Sequence, residues 1–375
     1  MSKVNLGTAT YRGLGESLAG KRVLVTGHTG FKGSWLVIWL TALGARVSGL
    51  ALDPATNPNN YELSTVRGLL ADDLRVDVRK YKDLLAAIEL IQPEVIFHLA
   101  AQPIVAHAVD KPYETFDTNI MGTAGLLEAV RVLRRPCVVV VVTSDKCYVN
   151  RETKRGYVET DPLGGGEPYG SSKASAELVV NAYRETYFTE GVANYSPIHL
   201  ASARAGNVIG GGDWSPYRIV PDVVKALAEK RPALLRSPES VRPWQHVLEP
   251  LHGYIVLAEK LISSAAPEKY TQAWNFGSPP QELMSVRELV EMSIQIWGEG
   301  SWEPMSNPYS KHEKGLLLLD STKAMEELGW TPRWEFEQRV EKTISWYRHY
   351  YQSGLQPNTL NSCIADLNDY LERDV

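Results

Sequence analysis

Six short runs of β-branched and apolar residues punctuate the first 210 positions of this chain: RVLVTG (Arg22–Gly27), RVSGLALD (Arg46–Asp53), LRVDV (Leu74–Val78), VIFHLAA (Val95–Ala101), VVVVVTS (Val138–Ser144) and IHLASARAGNVIG (Ile198–Gly210). Segments of helical length separate them. SWLVIWLTALGA (Ser34–Ala45) reads as an amphipathic helix ended by Gly44, and YKDLLAAIELI (Tyr81–Ile91) as another. A strand that is apolar on both faces must be covered on both faces, and alternation with helices supplies that cover. This predicts an α/β fold built on a doubly wound parallel sheet.

Past Asn207 the regular alternation gives way to prolines, tryptophans and short helices, as in GGGDWSPYRIVPD and SPESVRPWQHV. We therefore expect residues 20–206 to form the sheet domain and 207–375 to form mainly a smaller, mixed lobe. The chain is expected to return to the first unit around 243–275. The Gly-rich first 20 residues are expected to be partly disordered.

Composition excludes several classes of function. A net charge of −5 and the lack of any Lys/Arg run give no footing for nucleic acid. No apolar stretch approaches the ~20 residues that span a bilayer. The opening MSKVNLGTATYRGLGESLAG has no apolar leader segment, and Cys137, Cys147 and Cys363 are too few for a disulfide framework and lack metal-ligand spacing. The expectation is a reduced, cytoplasmic protein without membrane, nucleic-acid or metal partners.

The first strand runs into TGHTGFKG, where Gly27, Gly30 and Gly33 open the following helix. Between strand and helix, such glycines let backbone amides and a helix N-terminus approach a pyrophosphate. Asp53, at the end of the second strand, can accept from adenosine ribose hydroxyls, and its charge opposes a 2′-phosphate. The expected cofactor is NAD on a Rossmann-type sheet. Gly27, His28, Thr29, Gly30, Phe31, Lys32 and Gly33 would form its phosphate turn. Leu99, Ala100 and Ala101 would form a flat bed against the sheet. Asp77 with Val78 either borders the adenine or is a solvated loop. His98 reads as a core histidine. His28 and Lys32 stand where this turn commonly has a small and an aliphatic residue, so NAD should be held loosely and His28→Gly should tighten it.

YGSSK places Tyr169 and Lys173 one helical turn apart on one face. A cationic amine beside a phenol lowers its pKa from about 10 and makes it a usable base. With the Ser144 hydroxyl at the end of the fifth strand, these residues form the proton-transfer set of an alcohol oxidation.

Together, the glycine turn, HLAAQ, TNIMGT, the strand-end hydroxyl, YxxxK, RAGNVIGGGDW, RPWQHV and LDSTKAMEELGW resemble the extended short-chain dehydrogenases/reductases that act on nucleotide sugars. The likeness runs from about Gly20 to about Trp346. TGHTGFKGSWL and TSDKCY are most similar to the CDP-glucose branch of the 4,6-dehydratases. The resemblance implies an NAD-dependent lyase that makes a 4-keto-6-deoxy sugar and water. It gives Tyr169 the 4-hydroxyl proton, Ser144 the C4 oxygen, Lys173 the nicotinamide ribose and the tuning of Tyr169, and Asp145 the leaving 6-hydroxyl. Lys146 stands where most 4,6-dehydratases have a Glu base. It acts either as a neutral base at C5, which burial near Lys173 would favour, or as a cation that steadies the enolate. Asn207 and Arg242 match diphosphate contacts, Arg204 has a structural or a substrate role, and Arg218 and His312 are further candidates. Dehydratases for dTDP-glucose or GDP-mannose and UDP-sugar 4-epimerases are the alternatives. The resemblance also implies a homodimer, larger assemblies left open, in which Leu126, Leu127, Val130, Leu178, Val179 and Tyr183 either meet a partner or pack on their own sheet.

Overall fold

The computed structural model describes residues 14–192, 195, 197–278, 282–305, 316–354 and 358–372. The first 13 residues and His312 lie outside these. Seven strands, β1 (Arg22–Thr26), β2 (Arg46–Ala51), β3 (Asp72–Arg75), β4 (Val95–His98), β5 (Cys137–Val142), β6 (Ile198–Ala205) and β7 (Ala273–Phe276), form one sheet in the order β7-β6-β5-β4-β1-β2-β3. Every pairing is parallel. The third strand lies two residues earlier than LRVDV suggested, because Asp72 and Asp73 pair with Ser48 and Gly49 at the sheet margin.

The longer helices are α1 (Phe31–Ala42), α2 (Tyr81–Ile91), α3 (Gly122–Leu133), α4 (Pro168–Tyr183), α5 (Ile219–Ala228), α6 (Leu248–Ser263), α7 (Val286–Trp297), α8 (Phe336–Gln352) and α9 (Leu360–Leu371). Side chains along each central strand alternate between two cores. Val23, Val25, Val95, Phe97, Val138 and Val140 join α1, α6, α8 and α9. Leu24, Ile96, Val139 and Val141 join α2, α3 and α4 on the opposite face. That is the double winding the apolar strands required. A third, small core joins α5 and α7 through Val223, Leu227, Leu235 and Val290. The chain beyond residue 207 thus contributes both to the sheet domain and to a separate lobe.

Helix α1 departs from the amphipathic reading. Gly33 through Leu40 are all buried, because α6 and α9 cover the side away from the sheet. Trp39 stacks on His252 of α6 at 6.1 Å and meets Tyr370 of α9 edge-on at 5.8 Å. The same tyrosine donates to Glu249 at 2.7 Å, a buried carboxylate that also accepts from the backbone of Arg333 and Trp334. Among the described residues no helix is long and apolar enough to cross a membrane, and all three cysteines are buried and unpaired.

Tyr370→Phe keeps the ring and removes the donor to a buried carboxylate. It should destabilise the protein by about 1.5–3 kcal/mol, read as a lower urea midpoint with unchanged slope.

Candidate active site

The glycine turn is built for close approach. Gly27 has φ +75°, and a Cβ there would lie 2.8 Å from the Ala100 nitrogen; one on Gly33 would lie 2.2 Å from the Gly27 carbonyl. The Thr26 hydroxyl accepts from the amides of Leu99 and Ala100, each at 3.2 Å, and joins the HLAA segment to β1. His98 is a core histidine, between Thr26 at 2.8 Å and Thr123 at 3.3 Å. Burial, with Lys173 nearby, drops its pKa to about 3. Val78 is buried against Gly122, and Asp77 is clasped by Arg79, which holds its carboxyl below the usual range. Thr29 donates to the Leu52 carbonyl at 2.9 Å. A turn that any Cβ would fill, beside a flat bed of small residues, fits a dinucleotide pyrophosphate.

His28 does not crowd that turn as expected. Its ring is fully buried, packs on Gly49 of β2 and reaches Asp73 of β3 at 2.8 Å. Lys32 is half-buried among Asp145, Lys173, Asp213 and Arg218. Desolvation and the neighbouring cations Arg218 and Lys173 push its pKa down to about 7.

At the end of β5 the chain makes a single tight turn, Asp145–Cys147, capped by the Ser144 side chain. The Ser144 hydroxyl donates to Asp145 Oδ1 at 2.8 Å and stands close enough to the Tyr169 phenol to pull its pKa down. Asp145 is 4% exposed. Burial raises its carboxyl, and Lys146 and the Ser144 hydrogen bond only partly offset that. Its carboxylate fills the space over Gly206, where a Cβ would sit 2.1 Å from Oδ2. Phenol, hydroxyl and carboxyl therefore form one continuous line.

Two expectations about this line need correcting. Lys146 is exposed rather than buried beside Lys173; its backbone amide donates to Asp145 at 2.9 Å. Nor is the Tyr169 phenol lowered on balance here, and the Lys173 ammonium donates to the Val142 carbonyl at 3.3 Å. Burial raises Tyr169 to about 12 against the pull of Ser144 and Arg218, and burial lowers Lys173 to about 8.

The start of α4 is set by Glu167, whose carboxylate accepts from the amides of Tyr169 at 2.7 Å and Gly170 at 2.8 Å. Pro168 then occupies the first helical position, where no N–H is needed. The Glu-Pro pair was the available sequence signal for this cap. On the same face as Tyr169 and Lys173 stands Glu177, which sequence reasoning missed. It accepts from Ser202 and from Arg204 at 2.7 Å each, and from the Thr143 hydroxyl. Burial opposes its charge, yet Arg204 and the two hydroxyls hold its carboxyl below the usual range. Arg204 is 3% exposed and reaches Tyr148 at 2.6 Å. Its pairing with Glu177 and Tyr148 is a structural one.

The structure brings Arg218 to the site: it pairs with Asp213 at 3.0 Å and is charge-coupled to Lys32 and Tyr169. Asn207 follows β6 with φ +47°. Arg242 lies on a two-residue strand paired with Met284. Beside it opens a cavity of about 710 Å³ lined by Lys154, Ser237, Glu239, Val241, Leu316 and Leu318 among others.

The profile of the GDP-mannose 4,6-dehydratase family matches residues 24–343. The chain belongs to that family. It is 44% identical to a CDP-glucose 4,6-dehydratase of Salmonella typhimurium, over 94% of this chain and 96% of that protein. It is 27% identical to a dTDP-glucose 4,6-dehydratase of Xanthomonas campestris pv. campestris, over 86% and 92%. Among solved structures, a dTDP-glucose 4,6-dehydratase from Streptomyces venezuelae with NAD bound superposes with a TM-score of 0.71. It is 25% identical and covers 87% of this chain and 97% of that one. Membership in the family agrees with the expected fold class and nucleotide-sugar chemistry.

The Glu177–Arg204 pair makes a stability prediction. Glu177→Leu leaves a buried guanidinium unpaired and should cost about 3–5 kcal/mol. Glu177→Leu with Arg204→Met should recover most of that loss in urea melts.

Proposed function

We propose that the protein converts CDP-D-glucose to CDP-4-dehydro-6-deoxy-D-glucose and water with NAD as resident cofactor. The observation that carries this reading is Asp145: a buried carboxyl raised by desolvation and hydrogen-bonded by Ser144, beside the Tyr169 phenol. A 4-epimerase needs the phenol but has no water to expel. The 44% identity to a CDP-glucose 4,6-dehydratase supports the choice of substrate.

NAD, when bound, would supply a reversible hydride acceptor for the sugar. The glycine turn and the bed formed by Leu99–Ala101 would hold it. Tyr169 takes the proton of the 4-hydroxyl, its phenol brought down by the positive charge that a bound nicotinamide would add, and Ser144 holds that oxygen in place. The ketone so formed acidifies the C5 hydrogen. Asp145, its carboxyl raised by burial, gives a proton to the departing 6-hydroxyl, and the Ser144 hydroxyl keeps that carboxyl oriented. Lys146 serves C5, as base or as the cation that steadies the enolate. Arg242, Asn207 and Arg218 are the proposed diphosphate partners, a fork of N–H donors suiting phosphate oxygens. The cavity beside Arg242 is the proposed seat of the base, and the lobe built on α5 and α7 its frame.

A homodimer and a cytoplasmic setting belong to the same proposal. Leu126, Leu127 and Val130 are buried under their own helix, which withdraws them from any partner surface. Leu178 is 61% exposed and Met121 59% exposed, and these support a helix-to-helix contact. The three buried, unpaired cysteines suit a reducing compartment.

Incubation with CDP-, dTDP-, UDP- and GDP-activated hexoses tests the reading through the base-induced absorbance of a 4-ketosugar. Signal is expected with CDP-glucose; CDP-galactose as product would replace it with an epimerase. Asp145→Asn should retain reduction of NAD and lose water elimination by about 10²–10⁴-fold. Lys146→Ala should retain the ketone and lose solvent exchange at C5, and equal loss of both half-reactions would remove Lys146 from either role.

A further inference from the structure

At the outer margin of the sheet, the carboxylate expected to hold the adenosine ribose is not alone. Arg75, opposite Ala51 in the β2–β3 register, donates from Nε to Asp53 Oδ1 at 2.8 Å. The two partners are held very differently. The guanidinium is fixed from behind: it donates to Asp73 Oδ1 at 2.5 Å and to the Tyr61 hydroxyl at 3.0 Å, and lies over the Tyr61 ring at 5.2 Å. Asp73 is itself pinned by Tyr61 at 2.5 Å and by the buried His28 at 2.8 Å. Asp53, by contrast, has a side chain 87% exposed.

A lone carboxylate at this position discriminates against a 2′-phosphate by charge, whereas an arginine there accommodates one. This chain carries both, and the arginine is the better anchored of the two. We propose that Arg75 is a specificity-determining residue and a preset seat for the 2′-phosphate of an NADP-type dinucleotide. Asp53 takes the ribose hydroxyls of NAD, and its exposed carboxylate covers that seat. The inference rests on the proposed nicotinamide cofactor site, and it predicts that the protein binds both dinucleotides.

Calorimetric titration of the purified full chain with NAD, NADP and 2′-AMP tests this without reference to turnover. The native protein should bind NADP as well as NAD. Asp53→Ala, at an exposed position, should raise the ratio of NADP to NAD affinity by at least about tenfold, the scale of one charge-assisted hydrogen bond. Adding Arg75→Gln should abolish the gain and the binding of 2′-AMP, with a thermal melt confirming the fold. Arg75→Lys keeps the charge and should retain part of it. NAD binding by the native protein with no NADP gain in Asp53→Ala, or a gain that survives Arg75→Gln, would overturn the inference and leave the proposed function standing. Absence of heat with either dinucleotide would overturn both.

Discussion

One buried ion pair ties the reaction centre to the scaffold. Glu177 on α4 and Arg204 on β6 meet at 2.7 Å with side chains 3% and 4% exposed. Charges taken this far from water persist only when their hydrogen-bonding capacity is met. Thr143 at the end of β5 and Ser202 on β6 complete the carboxylate, and Tyr148 and the Glu159 carbonyl serve one terminal nitrogen of the guanidinium, whose Nε alone is left without a partner among the described residues. Tyr148 in turn donates to Asn275 on β7 at 2.8 Å. Three strands, the helix bearing Tyr169 and the turn bearing Asp145 are thereby fixed relative to one another. Neither of the paired residues needs to touch the sugar for the geometry of its neighbours to depend on it.

The central sheet was legible because its physics is local and periodic. Near-continuous valines at Val138–Val142 leave no polar face, so both sides must be covered, and the alternation of Val138 and Val139 between two cores follows directly. The glycine turn was legible because Gly27 and Gly33 each sit where a single added carbon would collide with backbone. That Tyr169 and Lys173 share a helix face follows from their spacing, and Ser144 from its place at a strand end, whereas Asp145 entered through the family resemblance.

What remained hidden depends on residues distant in sequence. Nothing local in SWLVIWLTALGA announces that Trp39 will be covered by Tyr370, more than three hundred residues later. His28 looks like an obstacle in a glycine motif until Asp73 is seen to receive it. Lys146 invited a buried reading from its neighbours in sequence, but the tight turn at Asp145 sends the carboxylate inward and leaves the amine outside. Arg75 read only as part of a strand, since its partners Asp53 and Tyr61 come from two other elements.

The covering of α1 has a consequence for how the polypeptide is made. As synthesis proceeds from the N-terminus, Trp35, Val37 and Trp39 emerge hundreds of residues ahead of the helices that shelter them. Until α6 and finally α9 leave the ribosome, this greasy rod lacks its outer lining, and exposed apolar surface of that kind invites association with other unfinished chains. Completion of the nucleotide-binding half therefore waits on helices made more than two hundred and more than three hundred residues after α1.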